Sequence, residues 1–165
     1  MQHTLSVLVE DKAGVLARVS SLLARRGFNI HSLAVGPTAD EGMSRMTIVV
    51  EAPELEQVKK QLHKLINVVK INDLDPERSV EREIMIVRVS VKGDNRASVL
   101  EIATIFKATA IDVGTNSLTF QVTGTPAKLN DFLELIRPYG VVDMAKSGRI
   151  ALSREAKSRK LKTTA

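Results

Sequence analysis

The sequence contains no cysteine and no tryptophan, and only one tyrosine and four phenylalanines occur among its 165 residues. Without cysteine, the chain has no disulfide framework, no thiolate nucleophile and no cysteine-based zinc site, as is typical of proteins from a reducing compartment. The first residues lack the apolar core of a signal peptide and the arginine- and serine-rich composition of a transit peptide. We therefore expect a cytoplasmic protein without membrane attachment.

Net positive charge is concentrated at the C-terminus. The net charge is +5, and the segment "REAKSRKLK", with five basic residues and one glutamate, carries four of those five charges. Few aromatic rings are present for base stacking, and no nucleic-acid recognition motif accompanies the basic tail, residues 155–165. We interpret the tail as a solvated terminus, with a nucleic-acid or subunit-docking arm as the alternative, and expect the chain to fold when truncated after Ser153.

Motifs for catalysis and metal binding are also missing. No G-x-G-x-x-G follows a predicted strand, and no Gly-Lys-Ser/Thr phosphate loop occurs. His3, His31 and His63 are scattered without H-x-x-x-H spacing, and adjacent acids such as Asp40 and Glu41 fall in turn segments. We predict that this chain has no catalytic residue, no metal site and no cofactor of its own.

The spacing of apolar residues predicts a βαββαβ lobe over residues 1–76. Residues 5–9 alternate as a strand does, and residues 15–23 carry apolar side chains at helical spacing before Gly27 ends the helix. Two more strands, a helix opened by Pro53 and a fourth strand complete the order. This is the ferredoxin-like α+β arrangement, with both helices on one face of an antiparallel sheet.

The same order recurs after a charged linker, which predicts a second βαββαβ lobe over residues 77–154. Its strand-to-helix turn, "VKGDNRASV", lacks the compact glycine turn of the first lobe, so we expect any ligand site in the N-terminal lobe. Lobes of about 75 residues are marginally stable alone. Apolar residues on an uncovered sheet face and open strand edges then predict a homodimer formed by sheet extension or stacking.

The turn "EDKAGV" has the chemistry to bind a free amino acid. Gly14 allows a close approach to the backbone, and unpaired N–H groups at a helix start suit a carboxylate. Asp11 and Asn29 offer acceptors for an ammonium group, and Ala13 and Ala17 leave an apolar niche beside larger neighbours. The alternative is that Gly14 only makes the turn while the polar residues only satisfy backbone groups.

Longer motifs relate the chain to a known family. "ARRGFNIHSLAVGPT" joined to "VEREIMIVRV", and later "IFKATAIDVG", "LTFQVTG" and "SGRIALSRE", closely resemble the regulatory (small) subunit of acetolactate synthase, also called acetohydroxyacid synthase. The resemblance covers nearly the whole chain. It implies an N-terminal ACT domain, which is the amino-acid-sensing form of the βαββαβ lobe, and a C-terminal ACT-like domain.

The resemblance also implies a function. Such subunits have no active site, and they bind a catalytic (large) subunit that uses thiamine diphosphate, a magnesium ion and FAD. They activate it and confer feedback inhibition by valine, or by leucine or isoleucine, in branched-chain amino acid biosynthesis. An alternative function is a freestanding, amino-acid-responsive ACT regulator of another partner, such as a nucleic acid bound through the basic tail.

The family's effector site lies between two ACT domains. The turn after the first strand forms one side, and the second strand of a partner chain forms the other. Carried over residue by residue, the resemblance implies a branched-chain amino acid site made of Asp11, Ala13, Gly14, Val15, Asn29 and Ile30.

Overall fold

The computed structural model describes residues 2–155 of the chain. The predictions for the basic tail beyond Glu155 therefore lie outside the described residues. Within residues 2–155, no helix is long and apolar enough to cross a membrane.

The first lobe has the predicted βαββαβ order. The elements are β1 (Gln2–Glu10), α1 (Val15–Arg25), β2 (Asn29–Pro37), β3 (Met43–Glu51), α2 (Leu55–Leu62) and β4 (Val68–Asp73). The four strands form an antiparallel sheet in the order β2-β3-β1-β4, so that β2 is an edge strand. Apolar side chains of β1, β3 and both helices form one core, which shows that the helices pack on the same sheet face.

Helix α1 ends where the sequence predicted. Gly27 has φ +74°, the left-handed conformation that lets a chain leave a helix. The N–H of Phe28 then donates to the carbonyl of Leu23 at 3.0 Å, and the Phe28 ring packs against the core. This end fixes the point at which β2 starts.

The second lobe repeats the order around a separate core. Its elements are β5 (Ser79–Ser90), α3 (Arg96–Ile105), β6 (Thr109–Val113), β7 (Ser117–Gly124), α4 (Pro126–Ile136), β8 (Val141–Lys146) and β9 (Ile150–Ser153). The strand order of the sheet is β6-β7-β5-β8, and β9 pairs with the start of β5. The α+β fold of two βαββαβ lobes is thus confirmed, with β9 as an unpredicted addition.

Residues 147–149, here called the interlobe turn, join β8 to β9 and contact the first lobe. The N–H of Arg149 donates to Ser32 Oγ at 2.8 Å, and its guanidinium lies 3.4 Å from the Glu81 carboxylate. Gly148 has φ +84°, and a Cβ there would lie 3.0 Å from the carbonyl oxygen of Leu33. A glycine is therefore required where the second lobe meets β2.

These contacts change one expectation from the sequence. The outer face of the first sheet was predicted to be uncovered, yet Thr4, Ser6, Thr47 and Val49 on that face are buried. The Thr4 hydroxyl donates to the Glu81 carboxylate at 3.3 Å, so the chain's own second lobe covers part of this face. Within the described residues β2 pairs only with β3, so no strand pairs with its outer edge.

The contacts of Arg154 predict how far the C-terminus can be shortened. Its N–H donates to the carbonyl of Arg78 at 2.7 Å, and its Nε donates to the carbonyl of Ser79 at 3.1 Å. Truncation after Glu155 should leave stability unchanged, whereas truncation after Ser153 should lower the free energy of unfolding by about 1–3 kcal/mol while the chain still folds. Urea unfolding of both truncated chains beside the full chain measures this, and equal stability of all three would contradict it.

Candidate functional site

Backbone hydrogen bonds hold the turn between β1 and α1 in one conformation. The N–H of Glu10 donates to the carbonyl of Asn67 at 3.0 Å, and that of Asp11 donates to the carbonyl of Gly42 at 2.8 Å. Gly14 then adopts φ +84°, a left-handed conformation that favours glycine. The last residue of the turn before α1 is therefore a glycine, which has no side chain.

The start of α1 is left uncapped. Gly14 is the N-cap residue and no side chain bonds to the cap, while the N–H of Arg18 makes the first helical bond, to the Gly14 carbonyl at 3.0 Å. Within residues 2–155, the N–H groups of Leu16 and Ala17 have no partner, and no acidic residue lies in the first turn. Two free donors at the positive end of a helix dipole suit a carboxylate.

A small network of side-chain hydrogen bonds supports the turn. Asn67 is buried; its Nδ2 donates to Glu10 Oε2 at 2.6 Å, and its Oδ1 accepts from Arg18 Nη1 at 2.7 Å. The hydrogen bond from Asn67, followed by the contact with Lys12, holds the pKa of the Glu10 carboxyl below its ordinary value of 4.5. The network ties the end of β1 to the first turns of α1.

The predicted residues of the turn have different roles in the structure. Asp11 and Ala13 are exposed beside Gly14, as the prediction requires. Val15, in contrast, places its side chain in the core, and its N–H donates to the carbonyl of Lys12 at 3.3 Å, so it offers a ligand neither a side chain nor a free donor. The apolar side chain exposed at the turn is that of Leu16, which lies next to the free donors.

The strand residues of the predicted site lie far from the turn in the same chain. Asn29 pairs with Glu51, whereas the turn follows Glu10, which pairs with Met43. The eight residue steps from Met43 to Glu51 correspond to about 26 Å along β3. One chain therefore brings Asp11, Ala13, Gly14 and Val15 together, but it does not bring Asn29 and Ile30 to them.

Around Asn29, the start of β2 is partly open. Asn29 is exposed, and Ile30 is half-buried against the core. Next to them, His31 Nε2 lies 2.9 Å from Glu51 Oε2, and this hydrogen bond holds the pKa of the Glu51 carboxyl below its ordinary value. A polar, exposed strand start at the edge of the sheet is accessible to another chain.

The equivalent turn of the second lobe has a different structure. A short 3₁₀ turn, Gly93–Asn95, precedes α3, and Arg96 Nη2 donates to the carbonyls of Gly114 and Thr115 at 2.7 and 3.0 Å. The start of α3, like that of α1, has no side-chain cap. The second lobe differs in the turn itself, because Asn95 and not a glycine is the N-cap residue of its helix, so the compact glycine turn belongs to the first lobe.

Sequence reasoning missed Asn67 and Arg18. Asn67 interrupts the apolar run "LINVV", and a buried polar residue in such a run needs partners. That signal indicates a structural hydrogen bond but does not identify Glu10 and Arg18 as its partners, because both are distant in sequence.

Comparisons with known proteins match both lobes. Residues 5–70 match the family described as the acetolactate synthase (AHAS) small subunit-like ACT domain, and residues 82–155 match the family described as the small subunit of acetolactate synthase. The acetolactate synthase small subunit of Mycolicibacterium smegmatis is 53% identical over 154 residues, which cover 92% of this chain and 91% of that protein. The probable small subunit of Archaeoglobus fulgidus is 47% identical, covering 93% of this chain and 98% of its own.

A solved structure agrees with the fold. The crystal structure of the acetolactate synthase small subunit from Thermotoga maritima superposes on this chain with a TM-score of 0.85 at 36% sequence identity. The match covers 93% of this chain and 98% of the Thermotoga maritima chain. Two βαββαβ lobes, the first with an uncapped glycine turn, define a tandem ACT-type protein. The chain belongs to the family of acetolactate synthase small subunits.

The Asn67 network predicts a measurable effect on the turn. Replacing Asn67 by alanine should lower the free energy of unfolding by about 1–3 kcal/mol, because the two side-chain hydrogen bonds of this buried residue are lost. The pKa of Glu10 should rise, since Asn67 is the main cause of its depression. Urea unfolding measures the change in stability, and a titration of the carboxyl groups followed by NMR measures the pKa of Glu10.

Asn130 provides the matched control. It is exposed, and its Oδ1 accepts from Lys146 Nζ at 3.2 Å, so Asn130→Ala should change stability by less than about 0.5 kcal/mol. Equal effects of the two substitutions, or an unchanged Glu10 pKa in Asn67→Ala, would contradict the role given to the network.

Proposed function

We propose that this chain is a non-catalytic regulatory subunit that activates the catalytic subunit of acetolactate synthase. It confers feedback inhibition by valine or another branched-chain amino acid. The thiamine diphosphate, magnesium ion and FAD of the reaction belong, in this proposal, to the catalytic partner. Residues 1–76 would form the sensing and dimerising domain, and residues 77–154 the second domain.

The observation that carries the proposal is the uncapped start of α1 behind Gly14. The free N–H groups of Leu16 and Ala17 are available to a ligand carboxylate. The exposed carboxylate of Asp11 supplies the opposite charge for an ammonium group. The exposed side chain of Leu16 offers apolar contact to a short aliphatic side chain. Together, these three features fit the carboxylate, the ammonium group and the aliphatic side chain of a branched-chain amino acid.

The remaining side of the site is proposed to come from a second copy of the chain. Antiparallel pairing of two β2 edges about a twofold axis near Leu33 would place Asn29 of the second copy opposite Pro37. Pro37 pairs with Ser44, and Ser44 pairs with Val9, so this position lies at the turn end of the sheet. The second copy's Ile30 would follow, adding an apolar wall.

This arrangement explains how an amino acid could regulate an enzyme that it does not touch. A ligand held between two chains favours the assembled geometry over others by its differential affinity. The catalytic subunit bound to that geometry would respond, and by linkage its own binding would alter the ligand's affinity.

Two substitutions at Gly14 test the site. Nothing lies within 4 Å of a Cβ built at Gly14, so both Gly14→Asp and Gly14→Asn should fold, at a cost of about 1 kcal/mol for φ +84°. The aspartate should occupy the carboxylate position and repel the ligand, which would abolish valine binding. The asparagine has the same size without the charge, and it should weaken binding without abolishing it.

The measurement combines valine calorimetry and melting curves with acetolactate formation by the catalytic subunit. We expect Gly14→Asp to activate the catalytic subunit as the unaltered chain does, yet to be insensitive to valine. Unchanged valine affinity in a folded Gly14→Asp chain would refute the site. Failure of the unaltered chain to raise acetolactate formation would refute the function.

A further inference from the structure

A groove of about 440 Å³ lies between the two lobes. One wall comes from the end of β2 and the start of β3, and the other wall comes from the paired strands β5 and β9. We call it the interlobe groove. The lining residues are 34–37, Arg45, Thr47, Val80, Arg82 and 150–152.

Most of the groove surface is apolar and open. Val35, Val80, Ile150 and Leu152 are each more than a third exposed. Val80 pairs with Leu152 across the β5–β9 ladder, so their side chains share one face of it. Clusters of exposed, large apolar side chains are characteristic of protein interaction sites.

Two arginines are the charged residues of the lining. Arg45 Nη1 donates to Ser6 Oγ at 2.7 Å, and Arg82 Nη1 donates to the carbonyl oxygen of Glu81 at 2.7 Å. Within residues 2–155 neither guanidinium has a carboxylate within 4.0 Å. An occupant with a carboxylate beside an apolar side chain would therefore complement the groove in both charge and polarity.

We propose that the interlobe groove docks the catalytic subunit, through an apolar segment of that subunit that carries an acidic side chain. This inference rests on the proposed function, which supplies such a partner. A second copy paired along β2 would lie beside residues 34–37 at the rim of the groove. The groove is not expected to dock onto the groove of that copy, because its charged residues are both arginines and a twofold contact would oppose like charges. The chain's own basic tail is disfavoured for the same reason, since its charge has the sign of the arginines.

The position of the groove connects it to the proposed effector site. Residues 34–37 at the end of β2 line the groove, and Asn29 and Ile30 at the start of the same strand belong to the effector site. A shift of β2 on effector binding would therefore reach the docked segment directly. The groove is thus placed to transmit the effector signal to the catalytic subunit.

Matched pairs of substitutions test the groove. Leu152→Asp places a charge on its apolar wall at a side chain that is 59% exposed, and Val142→Asp does the same on β8, outside the groove, at 61%. Arg82→Glu reverses a groove charge, and Arg88→Glu reverses one on the same strand outside it. Melting curves confirm that each variant of the full chain is folded.

Affinity for the purified catalytic subunit is then measured by titration, beside sedimentation of the chain alone. We expect Leu152→Asp and Arg82→Glu to weaken binding at least tenfold, and both controls to stay within twofold of the unaltered chain. If groove variants and controls bind equally well, the groove is not the docking surface, while the regulatory function stands.

Two other outcomes would also overturn the inference. Loss of self-association in the groove variants, with unchanged binding to the catalytic subunit, would identify a second copy as the occupant. If the unaltered chain neither binds nor activates the catalytic subunit, the proposed function fails and the docking proposal fails with it.

Discussion

The proposed regulation depends on one geometric constraint, the length of the first sheet. The Gly14 turn lies at one end and Asn29 at the other, about 26 Å apart by strand rise, because β2 runs parallel to β1. A single amino acid cannot bridge that distance. A site that uses both ends must therefore combine two chains, and β2 is at the edge where a second chain can pair.

Strand β2 is also where the two lobes of one chain meet. Ser32 accepts a hydrogen bond from the interlobe turn, whose Arg149 reaches the Glu81 carboxylate at the start of β5. Both side chains are largely buried, so this ion pair is shielded from solvent. Its net contribution to stability therefore depends on the distance and alignment of the two charged groups. The proposed effector site, the interlobe contact and the interlobe groove thus share one strand, β2.

Local patterns predicted the element order well, because periodicity and turn residues act over short distances. Helix α1 shows this: its apolar spacing and Gly27 gave its core face and its end. Strand β9 was missed because its pairing depends on the interlobe turn, in which Arg149 bonds to a residue 117 positions away. The turn before α1 was predictable from Gly14, but its distance from Asn29 follows only from strand direction and register.

A mixed dimer tests directly whether the effector site is shared between two chains. Gly14→Asp and Asn29→Ala chains, each with a different affinity tag, are purified separately and then mixed. The dimer that carries both tags is isolated and titrated with valine. If each site joins one chain's turn to the other chain's strand, this dimer has one intact site, so it should bind one valine with the affinity of the unaltered protein. Each parent dimer should bind weakly or not at all. Absence of normal-affinity binding in the mixed dimer, with both parents folded and dimeric, would contradict the shared site.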